Sequence, residues 1–424
     1  MIKIDKKISR QELLFIIILA LIARLLFAFY SGVDKFENND WIRYDIQSAN
    51  ILNGNFNLET SLFITAPLFS YLVAGLKFIF STNYISVLEF LQILLGALSV
   101  AYMTKTTEII FKKHSTSLLC GTLYAIYPIT LYYTHIFGQE SIFQSLFIFS
   151  IFFLYKHLIV AKKVDLVKFA VLFSLALLTK SHILLILPFI LLSLIAIKGA
   201  NFKSLQDIFI VVVVIFLISL PYGIYNKIVN GVYVVSSSGQ GGLFLSGHND
   251  DSYAFIVHSP PKGTPEYKRI ANMDYKVLDQ LAPQLRGLTH NEKQNLYLKT
   301  GVDWVILNPQ KSIELFVANM KNFLMPGFNI QHHPFKKWFF ALLLSAPIFI
   351  FAYIEIIKSV VIDYKKHLPI ISIFLGMLLF SVIFYSQNRF RVITIEPFYV
   401  MYASSGFIAF INYLASINNR GASK

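Results

Sequence analysis

Cysteine is all but absent from this sequence: Cys120 stands alone, so no disulfide can form within the chain. Charge is scarce as well. Asp, Glu, Lys and Arg make up 14% of the 424 residues against 56% hydrophobic ones, too few to cover the core of a soluble domain of this size, so the apolar mass must also face lipid. Acidic residues are the scarcer sign, 23 against 37 basic ones, for a net charge of +14. That excess could suit a nucleic acid, but the Lys and Arg residues fall in short clusters beside long apolar runs, with no basic tract. Membrane orientation explains this pattern better. No nucleotide-binding fingerprint appears either.

What the sequence has is apolar runs. The first, Glu12 to Tyr30, follows Lys3, Lys6, Lys7 and Arg10 and is not followed by a small-residue cleavage site, so it reads as a retained helix. Further spans are expected at 84–110, 115–133, 141–158, 166–179, 181–197, 206–225, 338–357, 368–386 and 392–413. Alternate gaps hold the basic clusters: Lys112 and Lys113; Lys156, Lys162, Lys163 and Lys168; Lys198 and Lys203; Lys358, Lys365 and Lys366; Arg420 and Lys424. They share one side if the chain crosses about ten times with both termini in the cytoplasm. The segment Thr65 to Phe80 is left over. At about 1.5 Å per residue it reaches roughly 24 Å, short of a hydrocarbon core of roughly 30 Å. It is expected to lie as an interfacial helix on the outer face, opened by Pro67.

The expected class is therefore an all-α polytopic membrane protein in three parts: an N-terminal membrane module, 1–225, with an external loop, 31–83; a large external loop, 226–336, forming a small, mostly helical subdomain; and C-terminal membrane helices, 337–424. The first loop is acidic and aromatic, with Asp34, Glu37, Asp40, Trp41, Tyr44 and Asp45, and should hold a surface helix from about Trp41 to Asn53 capped by Asn39 or Asp40. The large loop should contain helices near 266–281, 291–307 and 311–324. Its Gly239, Gly241, Gly242 and Gly247 suggest tight turns that bring backbone close to another surface.

The outer ends of the spans gather Asp40, Glu140, Lys180, Arg389 and Arg391. Each has a plain structural reading: Asp40 as a helix cap, Glu140 as first-turn charge on a helix dipole, Lys180 as a snorkelling lysine, the arginines as headgroup anchors. Together they suggest a carboxylate base beside cations that hold a phosphate at the bilayer surface. His248, Asp250 and Asp251 lie close in the large loop but supply few oxygens for a hard cation. No metal is assigned there, and a divalent cation is left open.

The same stretches resemble the C-type-fold membrane glycosyltransferases, in the branch of the protein O-mannosyltransferases and the aminoarabinose transferases. The resemblance begins at Arg24 and continues through DWIRYDIQSANILNG, with Asp40, Tyr44, Ala49 and Gly54. It takes in TAPLFSYLVAGL at 65–76, YPITLYYTHIFGQESIFQSL at 127–146 with Pro128 and Glu140, LALLTKSHILLILP at 175–188 with Lys180 and Pro188, and QNRFRVITIEPF at 387–398 with Pro397. Many relatives carry Asp-Glu in the first loop, whereas Trp41 follows Asp40 here, so a single carboxylate is carried over.

The resemblance implies a GT-C-type fold and an enzyme that moves a monosaccharide from a polyprenyl-phosphate-linked donor to a lipid, glycan or protein acceptor, inverting the anomeric centre. It implies a site on the outer face of a bacterial or archaeal cytoplasmic membrane. Asp40 would be the base and Glu140 a second acid; Lys180, Arg389 and Arg391 would hold the donor phosphate; Tyr44, Asp45, His248 and Asn249 are candidates for sugar or acceptor contact. A lipid-linked sugar flippase or a non-catalytic envelope scaffold are the alternatives, the former expected to show inverted repeats and broken midplane helices.

Overall fold

A computed structural model describes residues 7–37, 40–55, 65–271, 273–327, 332 and 335–421. Helices and turns account for all of the regular structure among these residues, with no strand.

The chain enters through α1 (Arg10–Tyr30), started by a capping box in which Ser9 and Glu12 satisfy each other's backbone N–H groups. Then come α2 (Asp40–Leu52), α3 (Leu68–Phe80) and α4 (Tyr84–Phe111). Asn39, one of the two caps expected for α2, lies outside the described residues. A 3₁₀ turn at Ser81–Asn83, with Ser81 at a φ of 45°, redirects the chain between α3 and α4. The stretch expected to cross at 115–133 is broken into α5 (His114–Ala125) and α6 (Pro128–His135), because Pro128 has no N–H to continue the ladder and begins a new helix instead. Next are α7 (Glu140–Val160) and α8 (Lys163–Thr179); Lys180 then takes an extended conformation before a 3₁₀ turn, Ser181–Leu185, leads into α9 (Leu187–Lys198) and α10 (Phe202–Asn230).

Among its described residues the long loop holds six α-helices, α11 (Gln240–Gly247), α12 (Asp250–Tyr253), α13 (Pro265–Ile270), α14 (Tyr275–Leu281), α15 (His290–Leu307) and α16 (Pro309–Leu324), with a π-helical turn at Ala254–His258. The chain ends with α17 (Phe335–Ile383), α18 (Asn388–Thr394) and α19 (Glu396–Gly421).

Seven helical stretches among the described residues are long and apolar enough to cross a membrane, not ten. The difference has three sources. The segments expected at 338–357 and 368–386 are two helices that meet at a kink where Asp363 leaves helical geometry, and run together as α17 they form one stretch. The span at 115–133 is the broken pair α5 and α6, and α8 is a short helix of 17 residues.

Helix α7 packs against α4 and α8, α8 against α10, and α17 against α19 and α9, around one core that includes Phe143, Phe147, Phe173, Phe349 and Tyr399. Lipid tails are as apolar as these side chains, so close packing rather than water exclusion holds this part together. Two glycines mark where helix backbones meet: a Cβ on Gly406 would lie 2.8 Å from the Phe351 carbonyl, and one on Gly376 would lie 2.7 Å from the Ile186 Cα. A second, smaller core of Tyr44, Phe69, Val73, Leu76, Leu88, Phe137 and Ile142 fastens α2 and α3 to the N-terminal ends of α4 and α7.

Candidate active site

Four chain segments bring charge to one place. Asp40 opens α2, and the loop before that helix is tied down by Lys35, which pairs with Glu89 of α4 at 2.7 Å. Glu89 also takes the Nδ1 of His135 at 2.7 Å, while His135 Nε2 approaches the Val33 carbonyl at 2.8 Å. Glu140 is the first residue of α7. Lys180 occupies the break between α8 and the following 3₁₀ turn, where the missing helical turn lets its side chain run sideways into the protein. Arg389 lies in α18, a seven-residue helix inserted between α17 and α19.

Helix α18 is fixed from several sides. Gln144 of α7 donates to the carbonyls of Val392 and Ile393, at 3.3 and 3.4 Å. His182 Nε2 meets the Thr394 hydroxyl at 2.9 Å. Phe390 packs against the rings of His182 and Phe380, with centroids at 5.2 and 4.9 Å, and faces two cations, Lys180 at 5.3 Å and Arg389 at 5.5 Å.

The charged groups form a chain. Arg389 donates through Nη1 to Asp40 Oδ2 and lies 3.9 Å from Glu140 Oε1, which is itself 2.9 Å from Lys180 Nζ. The pair Glu140 and Lys180 is buried, with side chains 2% and 5% exposed, whereas Asp40 and Arg389 are about 30% exposed at the opening. A water-borne group would therefore meet Asp40 and Arg389 first. Burial alone would push the Asp40 carboxyl up, but the Arg389 guanidinium outweighs it and holds the group below its usual range. Behind Glu140, Oε2 lies so close to Gly138 that a Cβ there would be 2.5 Å away, so this glycine makes room for the carboxylate.

The structure thus brings together Asp40, Glu140, Lys180 and Arg389, and places the other candidates differently. Arg391 is 3% exposed, and its guanidinium is taken up by Glu396 at 2.9 Å and by main-chain carbonyls at the end of α16. Tyr44 is buried beneath the site with its ring against Phe69 at 5.0 Å. Asp45 turns to Lys77 and the Tyr84 hydroxyl, each at 2.7 Å, and ties α2 to its neighbours. His248 stacks on Phe244 at 4.2 Å and meets that residue's carbonyl at 3.0 Å, while Asn249 caps α12 by accepting from Ser252 N at 2.9 Å. Asp250 pairs with Lys311 at 2.8 Å and Asp251 with Arg269 at 2.9 Å. Among the described residues no group of three or more His, Cys, Asp or Glu is arranged to hold a metal. The sequence reading missed the parts played by Gln144, His182 and Phe390; the aromatic residue between two arginines was the one available signal.

Residues 65–225, less than half of the chain but including Glu140 and Lys180, match the family described as dolichyl-phosphate-mannose-protein mannosyltransferase. The structure is similar to the archaeal oligosaccharyltransferase AglB from Archaeoglobus fulgidus, solved with an inhibitory peptide and a dolichol-phosphate, at a TM-score of 0.56 over 97% of this chain and 14% identity. At that identity the likeness to AglB is one of fold, and this chain spans 52% of the AglB chain. A looser likeness, to ArnT from Cupriavidus metallidurans bound to undecaprenyl phosphate, covers 95% of this chain and 78% of that one at 10% identity and a TM-score of 0.39, too low to carry weight. No curated protein matches the sequence.

Proposed function

We propose that this protein transfers a monosaccharide from a polyprenyl-phosphate-linked donor to a hydroxyl on a lipid, glycan or protein at the outer face of the membrane. The observation that carries the reading is the chain of charge from Asp40 through Arg389 and Glu140 to Lys180, a carboxylate beside two cations at a membrane-embedded site. The family match and the fold shared with AglB support it.

In such a reaction the acceptor oxygen attacks the anomeric carbon as its proton passes to the Asp40 carboxylate. The bond from that carbon to the phosphate oxygen breaks, and the electron pair leaves with polyprenyl phosphate. Displacement from the opposite face inverts the anomeric centre. Charge builds on the phosphate oxygens, where Arg389 and Lys180 stabilise it. Glu140 holds Lys180 in place and balances its charge. Arg389 has a second effect: a guanidinium bound to Asp40 makes it a weak base, and a phosphate that draws the guanidinium away relieves that depression. Donor binding thereby readies the base.

Binding of undecaprenyl phosphate to the purified protein in detergent tests the phosphate roles. Replacing Lys180 or Arg389 by Ala removes a charged hydrogen bond of about 1.5–3 kcal/mol, so affinity should fall on the order of 10- to 100-fold in each. Unchanged affinity in both variants would remove the phosphate from this site.

A further inference from the structure

We propose that residues 384–391 form a strap through which the external subdomain sets the position of Arg389, with Arg391 as its positioning residue; this rests on Arg389 being a phosphate ligand. The strap is gripped three times by the loop region 226–336. Gly247, at the end of α11, meets it backbone to backbone: a Cβ there would lie 1.8 Å from the Phe384 carbonyl oxygen. Asn319 of α16 accepts from the Ser386 N–H at 2.9 Å and is fully buried. Arg391 then reaches the C-terminus of α16, donating through Nη1 to Asn322 O at 3.0 Å, Phe323 O at 3.2 Å and Met325 O at 2.5 Å, and through Nη2 to Gly327 O at 3.3 Å.

Carbonyls at a helix C-terminus lack intrahelical partners and carry partial negative charge, so a buried guanidinium there both satisfies and neutralises them. The other side of Arg391 is held by Glu396, which also accepts from the Tyr127 hydroxyl at 2.6 Å, and the guanidinium lies 5.0 Å from the centre of the Phe349 ring. Arg389 is two residues from Arg391 in the same short helix, between the second and third grips. A shift of α11 or α16 moves the backbone that carries Arg389, and the guanidinium that bridges Asp40 and Glu140 must follow. A subdomain that rearranges around an acceptor would in this way tighten or loosen the hold on the donor phosphate. Coupling of this kind is reciprocal, so phosphate binding must also steady the subdomain.

The test uses the full chain in detergent with undecaprenyl phosphate as probe. Gly247→Ala and Asn319→Leu touch no phosphate, yet each should weaken binding roughly 2- to 30-fold, while Asn319→Asp, which keeps the acceptor oxygen, should retain most of the affinity. In the unsubstituted protein, undecaprenyl phosphate should slow amide exchange in 240–247 and 319–325, and it should not do so in Arg389→Ala. Unchanged affinity in both folded variants would overturn the strap. Where those variants fail to fold, the exchange measurement decides, and no protection in the unsubstituted protein overturns it equally. Wild-type affinity in Arg389→Ala would instead overturn the phosphate reading, and the strap with it.

Discussion

Asp40 and Arg389 are 349 positions apart in sequence and meet through an ion pair, and that pair makes a claim about pH. Arg389 holds the Asp40 carboxyl below its ordinary value, so the pair contributes stability above the unfolded pKa of about 4 and loses it as pH falls through the lower folded value. Both side chains are partly exposed, which limits the contribution to under about 1 kcal/mol. Thermal unfolding in detergent should show Asp40→Asn slightly less stable than the unsubstituted protein near neutral pH and the gap closing in acid; a gap that widens in acid would contradict the pairing. Glu140, Lys180 and Arg389 were legible as candidates because each is a charge at the edge of an expected span, and Asp40 because it sits in an acidic, aromatic loop. Arg391 stood beside Arg389 with the same apparent credentials. Which of two alternate guanidinium groups finds a helix C-terminus depends on where α16 docks, and no local pattern records that. Asp45, a candidate for sugar or acceptor contact from the sequence, is instead engaged by Lys77 and Tyr84, which α3 and α4 present to it.

At the scale of elements, hydropathy located the apolar stretches well and their joints unevenly. Lys358, Lys365 and Lys366 mark the gap expected between two spans, and Asp363 leaves helical geometry inside that gap, so α17 is two helices meeting at a kink. Pro128, by contrast, breaks one apolar run into α5 and α6. In the large loop the helices expected near 291–307 and 311–324 correspond to α15, opened by a capping box of Thr289 and Glu292, and α16, opened by Pro309, whereas 266–281 holds two short helices, α13 and α14. From charge parity we propose that α3 and the large loop lie on the outer side. With Cys120→Ser as background, cysteines at the exposed positions Asn83 and Lys262 should react with an impermeant maleimide in intact cells, and one at Lys113 only after permeabilisation. Protection of Asn83 alongside labelling of Lys262 would place α3 across the membrane rather than on it.

For the molecule as a whole, the helical bundle brings together what the sequence keeps apart: the acidic helix α2, the start of α7, the break after α8 and the insert before α19 share one end of the bundle. In the proposed function, water and lipid phases meet at that end, as a water-borne acceptor and a lipid-linked donor require. The role that distinguishes an enzyme from a lipid-binding scaffold or a flippase is that of Asp40, since Asp40→Asn keeps the size of the side chain but removes its capacity to take a proton. The decisive measurement is transfer of labelled sugar from a polyprenyl-phosphate donor, catalysed by purified protein returned to membranes of its own cell that lack the endogenous copy, so that the natural acceptor is present. The account predicts transfer by the unsubstituted protein and a fall in turnover of about 10²- to 10⁴-fold for Asp40→Asn, with undecaprenyl phosphate still bound. Turnover by Asp40→Asn near the wild-type rate would contradict it.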